Sequence, residues 1–197
     1  MTRNRAMDAN TPNAMMAEYY GQRATAGRII TEGTSPSPNG LGYPRIPGLF
    51  NEAQMLGWKG VTDAAHAKGG KIFLQLMHTG RVTALANLPT GAEVLGPTAE
   101  TCAGDMYTDK HSMQPHSLPR EMAMPDIAAT AEEYAESAHL AITAGFDGVE
   151  LHAANGMRDG VGVRKASQKE GANHVSRDSH GEMTIRLSKP TCFVLLA

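Results

Sequence analysis

A chain of 197 residues is long enough to bury a real core, as one domain or as two small ones. The hydrophobic fraction of 41%, the charged fraction of 19% and the net charge of −2 suit a soluble globular protein. This charge gives no reason to expect binding to nucleic acid or to an anionic membrane surface. Cys102 and Cys192 form no metal or redox motif, and no pattern of a signal peptide or membrane span is present. We therefore expect a cytoplasmic protein.

Helices and strands alternate along the first 151 residues. Start and stop signals such as Asn51, Asp126 and Gly145 mark the predicted helices, and short apolar or β-branched runs mark the predicted strands. The predicted helices cover residues 13–23, 51–68 and 127–144. The predicted strands cover residues 27–33, 71–76 and 146–151. This alternation predicts a parallel α/β architecture.

Two long connections interrupt the alternation. Residues 34–50 are rich in proline and glycine and are predicted to form a loop, whose length favours a functional role. Residues 79–125 show no sustained periodicity and are predicted to form loops that can include a hairpin. In the second helix, Leu56 belongs to a broken apolar face. The strand at 71–76 is nearly continuous in apolar residues, a pattern typical of a strand covered on both faces.

All three predicted strands end in polar residues or in glycine. Parallel α/β folds have their active sites at these carboxyl ends of the strands. His152 and Asn155 follow the third strand, and both can donate hydrogen bonds to a carbonyl or phenolate oxygen. Gln75 ends the second strand with an amide that donates and accepts, and Gly33 allows a flat ligand to approach the backbone. Each also has a structural interpretation, as a satisfied residue at the sheet rim or in a turn.

Four further polar residues receive a structural interpretation. Glu32 and Glu150 are interpreted as ion-pair partners, and His78 and Arg81 as solvated loop residues rather than metal or phosphate ligands. No ligand spacing supports a metal site. The dinucleotide-binding glycine motif, the Walker loop and the nucleophile elbow are absent from the sequence, so a Rossmann domain or an α/β-hydrolase is not expected.

Four motifs in series resemble those of the Old Yellow Enzyme family of NADH:flavin oxidoreductases, or ene-reductases. They are MTRNRA at 1–6, IITEGT at 29–34, QLMHTGR at 75–81 and GVELHAANG at 148–156. The resemblance implies an α/β fold, roughly the first half of a (β/α)8 TIM barrel, with an irregular C-terminal tail. It divides the chain into a truncated flavin-binding barrel at 1–156 and a non-matching tail at 157–197.

The resemblance also implies a function. Members of the family hold FMN non-covalently, take hydride from NAD(P)H and deliver it to an activated alkene such as an enone. The matching positions imply that Thr2, Gly33 and Gln75 contact the flavin, and that His152 and Asn155 bind the carbonyl oxygen of the substrate. The expected partner is a small activated alkene, with no nucleic acid and no membrane. The open edges of half a barrel could also allow the chain to self-associate.

Three departures from the family pattern bear on activity. The strand that usually precedes the first motif is missing, and Met77 replaces a tryptophan. Met157 stands in place of the tyrosine that donates a proton in the family, and a methionine has no proton to donate. No residue is therefore assigned a catalytic role, and we expect the activity of this chain to be impaired.

The charge balance changes where the resemblance stops. Residues 1–156 carry 11 basic and 16 acidic residues, a charge of −5, and residues 157–197 carry 7 and 4, a charge of +3. This change suggests a frameshifted, mis-spliced or disordered tail. The alternatives to a flavin-dependent reductase are a catalytically inactive barrel fragment or interaction module, and a barrel enzyme that uses His152 and Glu150 without flavin.

Overall fold

The computed structural model describes residues 2–152 and the backbone of three short strands beyond them. The helices are α1 (Ala14–Gly21), α2 (Glu52–His66) and α3 (Met124–Thr143). The strands are β1 (Arg28–Thr34), β2 (Lys71–Leu76), β3 (Leu95–Gly96), β4 (Asp105–Thr108), β5 (Ser112–Pro115), β6 (Arg120–Glu121), β7 (Gly148–Leu151), β8 (His174–Arg177), β9 (Met183–Arg186) and β10 (Val194–Leu196). The three helices and three strands predicted in the first 151 residues are all present.

A parallel sheet with the strand order β1-β2-β7-β10 organises the fold. The connection from β1 to β2 contains α2, and the connection from β2 to β7 contains α3. A parallel pair of strands needs such a crossover, because its two strands run in the same direction. The predicted α/β architecture of parallel β-α units is therefore confirmed.

The helices cover one face of the sheet, where the main hydrophobic core lies. On α2 the buried apolar residues are Trp58, Val61 and Ala65, which follow helical spacing. Leu56 is 56% exposed, so its predicted place on this face is wrong. It lies two residues from Trp58, which places it on the opposite side of the helix.

The two faces of β2 are buried to different degrees. Ile72, Leu74 and Leu76 are completely buried against the helices, whereas Phe73 and Gln75 are only partly buried. The prediction that both faces are covered is therefore correct for one face only. We call the face opposite the helices the inner face. Ile30, which pairs with Phe73 there, is 40% exposed.

Side-chain caps fix the starts of two helices, and of these the cap at Asn51 was predicted. Asn13 and Asn51 accept the backbone N–H groups of Met16 and Gln54 at the starts of α1 and α2. The predicted cap of α3 at Asp126 is wrong, because that helix begins at Met124. Its first turn contains a proline, which helices tolerate there, and Asp126 accepts the N–H of Ala123 from inside the helix at 2.7 Å.

Smaller strand pairs lie outside the central sheet. The excursion between β2 and α3 contains the antiparallel hairpin β4–β5, which confirms the hairpin allowed for residues 79–125, and the parallel pair β3–β6. Beyond residue 152, β8 pairs with β9, and β10 pairs with β7. No pattern in the sequence predicted these last three strands. Within the residues that the structure describes, no helix is long and apolar enough to cross a membrane.

Candidate functional site

A β-bulge in β1 sets the arrangement of the candidate site. Ile30 lies opposite Phe73, and Gly33 lies opposite Gln75, so β1 advances three residues while β2 advances two. One extra residue in one strand reverses the alternation of faces beyond it. The bulge therefore moves Gly33 from the helix-covered face to the inner face, into one row with Gln75 and its β7 partner Glu150.

Gly33 is in close contact with Met77, the residue that follows β2. A Cβ atom built on Gly33 would lie 2.6 Å from both Sδ and Cε of Met77, much closer than van der Waals contact. Met77 is buried and packs with Leu41 and Ile46. A side chain at Gly33 would therefore require the Met77 thioether to move, a neighbour that the sequence did not suggest.

Gln75 is held by both its main chain and its side chain. Its backbone N–H donates to Thr31 Oγ1 at 3.0 Å, at the point where the bulge interrupts the regular pairing. Its side-chain Nε2 donates to Glu150 Oε1 at 2.6 Å. The structural interpretation of Gln75 is supported because its side chain links two neighbouring strands. The ligand-binding interpretation also remains open, because the side chain is partly exposed at the inner face. Glu150 accepts this hydrogen bond from a neutral amide. Within residues 2–152 no ion pair is shown for Glu150, so its interpretation as an ion-pair partner is not supported there.

His152 lies immediately after β7. Its backbone N–H donates to the carbonyl oxygen of Leu76 at 2.9 Å, which fixes its main chain beside the end of β2. The residue is partly exposed. Three of the predicted site residues, Gly33, Gln75 and His152, therefore meet at the same end of the sheet. Asn155 and Met157 lie outside the described residues.

Thr2 is connected to this end of the sheet through its neighbour. The backbone N–H of Arg3 donates to Glu32 Oε2 at 3.1 Å, and Glu32 directly precedes Gly33. The other carboxylate oxygen accepts the hydroxyl of Tyr20 at 3.3 Å. The interpretation of Glu32 as an ion-pair partner is not supported by these contacts, since its partners are a backbone N–H and a phenol. Burial raises the pKa of the Glu32 carboxyl.

His78 and Arg81 differ from the solvated residues that were predicted. His78 is buried, its Nδ1 accepts the N–H of Gly80 at 3.1 Å, and burial lowers its pKa to about 4. Arg81 is partly buried and lies 3.8 Å from Glu100. Among the described residues, no group of three or more metal-binding side chains is present.

Sequence reasoning missed three contributors to this end of the sheet: Thr31, Met77 and Tyr20. Thr31 lies within the IITEGT motif, but its role depends on the bulge. Met77 was noted only as a departure from a family pattern. Tyr20 lies on α1, twelve residues from its partner Glu32. Each contact joins elements whose relative position the sequence pattern does not give.

Comparison with known sequences gives a family match over most of the chain. The sequence model of the NADH:flavin oxidoreductase / NADH oxidase family matches residues 1–157. The chain is 40% identical over 173 residues to 12-oxophytodienoate reductase 7 of Oryza sativa subsp. japonica, an alignment that covers 83% of this chain and 44% of that protein. It is also 40% identical over 161 residues to a probable flavin mononucleotide-dependent alkene reductase of Leishmania infantum, covering 79% and 44%.

Comparison with solved structures gives the same extent of similarity. The old yellow enzyme homologue from Zymomonas mobilis superposes with a TM-score of 0.76 at 40% identity, over 80% of this chain and 44% of that one. The predicted fold, roughly the first half of a TIM barrel, is thereby confirmed. The chain spans less than half the length of the relatives that it matches.

Proposed function

The chain belongs to the NADH:flavin oxidoreductase / NADH oxidase family, and on that premise we propose that it acts in NAD(P)H-dependent reduction of an activated alkene, with FMN as cofactor. The observation that carries this proposal is the convergence of Gly33, Gln75 and His152 at one end of three neighbouring parallel strands. The proposed activity is an impaired one, because Met157 stands where the family has a proton-donating tyrosine.

The residues at this site suit the edge of a flavin ring. Gln75 is partly exposed and offers both a carbonyl oxygen and an N–H, as a ring edge with alternating donors and acceptors requires. Gly33 adds no side chain beside it, and Thr2 supplies a hydroxyl from the segment held by Glu32. When bound, FMN would supply hydride chemistry between NAD(P)H and the alkene. In the protein, these three residues would hold and orient the ring.

His152 would bind the substrate rather than the cofactor. A hydrogen bond from its ring to the carbonyl oxygen of an enone withdraws electron density from the alkene, so its β-carbon accepts hydride more readily. Asn155 is proposed to donate a second hydrogen bond to the same oxygen. Met157 cannot supply the proton that completes the reduction, which is a chemical reason to expect slow turnover.

A catalytically inactive fragment is the second candidate, and one observation favours it. Ile30 is 40% exposed on the inner face, where a closed barrel would have its core. An uncovered apolar face and unpaired strand edges favour self-association over catalysis. The two candidates differ in whether the 197-residue chain recognises FMN.

Titration of the purified chain with FMN, followed by quenching of flavin fluorescence, tests the proposal. We expect saturable but weak binding, followed by NADPH- or NADH-dependent reduction of an enone. His152→Ala should keep the FMN affinity and lose binding of a phenol that mimics the enone oxygen. His139→Ala is the matched control, because His139 is an exposed residue of α3. Absence of any saturable quenching would support the inactive fragment instead.

A further inference from the structure

We propose that Glu150 is a positioning residue that sets the orientation of the Gln75 side-chain amide, so that Gln75 presents its carbonyl oxygen to the ring edge of a bound flavin. The inference rests on the proposed function for its ligand. Its structural part concerns only Glu150 and Gln75 and can be tested without flavin.

The chemistry of the Gln75–Glu150 contact fixes which end of the amide faces Glu150. The contact is 2.6 Å long and joins Gln75 Nε2 to Glu150 Oε1. An amide can normally be turned over without any change in its shape. A carboxylate only accepts hydrogen bonds, so it must face the NH₂ end. Glu150 therefore leaves Gln75 with its carbonyl oxygen and one remaining N–H for other partners.

The position of Gln75 makes that choice of orientation relevant to a ligand. Its main chain is fixed by the bond to Thr31 Oγ1, so the side chain starts from a defined point. Gln75 is partly exposed, whereas Glu150 is 4% exposed. A ligand can therefore reach the amide of Gln75 at the inner face, whereas the carboxylate beside it is shielded. The N3–H group of a flavin ring is a donor that this carbonyl oxygen would match.

Stability alone gives a poor reason for this pair. Burying a carboxylate is costly unless strong partners compensate for its lost hydration. The partner shown for Glu150 is a neutral amide, and within residues 2–152 no ion pair is shown for it. A charge-assisted hydrogen bond is short and strongly directional, which suits the orientation of a side chain.

The first test uses the flavin-free chain and NMR of its side-chain amides. We expect one Nε2 proton of Gln75, assigned through its loss in Gln75→Leu, to be shifted downfield and protected from exchange. Glu150→Gln, whose amide oxygen accepts more weakly than a carboxylate, should reduce both properties, and Glu150→Asp, which keeps the charge but shortens the reach, should abolish them. Glu136→Gln on the exposed side of α3 is the matched control and should change neither. A Gln75 amide that resembles solvent-exposed amides and ignores these changes would overturn the inference.

The second test uses FMN and its N3-methyl derivative. Glu150→Gln should weaken FMN binding about tenfold, the effect of losing one hydrogen bond between the Gln75 carbonyl oxygen and the flavin. It should have no further effect in a Gln75→Leu background, and N3-methylation should cost less affinity in the variant than in the wild type. An equal loss in both backgrounds would overturn the inference. If NMR shows the oriented amide but no flavin binds, the structural part stands and the proposed function fails.

Discussion

Substitution of Gly33 by alanine tests whether the glycine of the IITEGT motif is required by the protein or only by a ligand. The new Cβ would lie 2.6 Å from Sδ and Cε of Met77 and 3.2 Å from its Cβ. The Met77 side chain is flexible, but it is 2% exposed and packed in a small core with Leu41 and Ile46, so little free space is available to it. We therefore expect Gly33→Ala to destabilise the chain in the absence of flavin.

Two opposing contributions determine the size of this effect. Overpacking in a filled site costs about 1–3 kcal/mol. The backbone at Gly33 has no positive φ, so alanine also reduces the freedom of the unfolded chain, which returns about 0.4–1 kcal/mol. The overpacking is the larger contribution: the midpoints of the two ranges, about 2 and about 0.7 kcal/mol, give an expected net loss of about 1.3 kcal/mol in the free energy of unfolding.

Urea unfolding monitored by tryptophan fluorescence measures this loss. Trp58 is the single tryptophan of the chain and is 0% exposed, so its emission reports on the core. Gly60→Ala is the matched control, because Gly60 lies on α2 and a Cβ atom added there would meet no atom within 4 Å. This control should stabilise the chain by about 0.5–1 kcal/mol.

A double-mutant cycle separates the contact with Met77 from other effects of the substitution. Met77→Ala alone should cost about 2–5 kcal/mol, because it opens a cavity in a packed site. Gly33→Ala should then add little or no further loss, since Sδ and Cε are gone and only the Cβ at position 77, 3.2 Å away, remains. The reasoning is refuted if Gly33→Ala is as stable as the wild type, or if its cost is the same with and without the Met77 side chain.

Two further predictions use the same unfolding assay. Burial raises the pKa of Glu32 above its ordinary value of 4.5, so the folded state favours the protonated carboxyl. The wild type should therefore lose stability relative to Glu32→Gln as the pH rises above 4.5 through the pKa of the folded state. A difference between the two proteins that does not change with pH would contradict this. Gln54→Leu should cost about 2–4 kcal/mol, since it leaves the N–H of Phe50 and the carbonyl of Ala9 without their partner, whereas exposed Gln22→Leu should change stability by less than about 0.5 kcal/mol. Equal effects at Gln54 and Gln22 would refute the proposed role of the buried amide.

Local signals were sufficient to predict most elements of the fold. Asn51 was placed correctly at a helix start because a cap acts on backbone groups only three residues away. The same reasoning failed at Asp126, because a carboxylate can accept a backbone N–H both from the N-cap position and from inside the first turn of a helix. Leu56 was misplaced because a few apolar residues allow more than one helical face, and packing against the sheet decides between them.

The candidate site was predictable in its membership but not in its contacts. The position of a residue at a strand end was enough to select Gly33, Gln75 and His152, because parallel strands bring their carboxyl ends together. The hydrogen bond of Gln75 to Glu150 depends on the register between two strands whose sequences are 75 residues apart. No local pattern contains that register.

The bulge in β1 is the clearest example of this limit, and it bears directly on how a motif should be interpreted. Regular alternation from Ile29, which packs in the core under the helices, would place Gly33 on the same helix-covered face. The extra residue reverses this and places Gly33 opposite Gln75 on the inner face. Thr31 lies at the interrupted pairing, where its hydroxyl accepts the Gln75 N–H. The motif therefore specifies a glycine on the inner face only together with β2, since pairing between the two strands determines which face the glycine occupies.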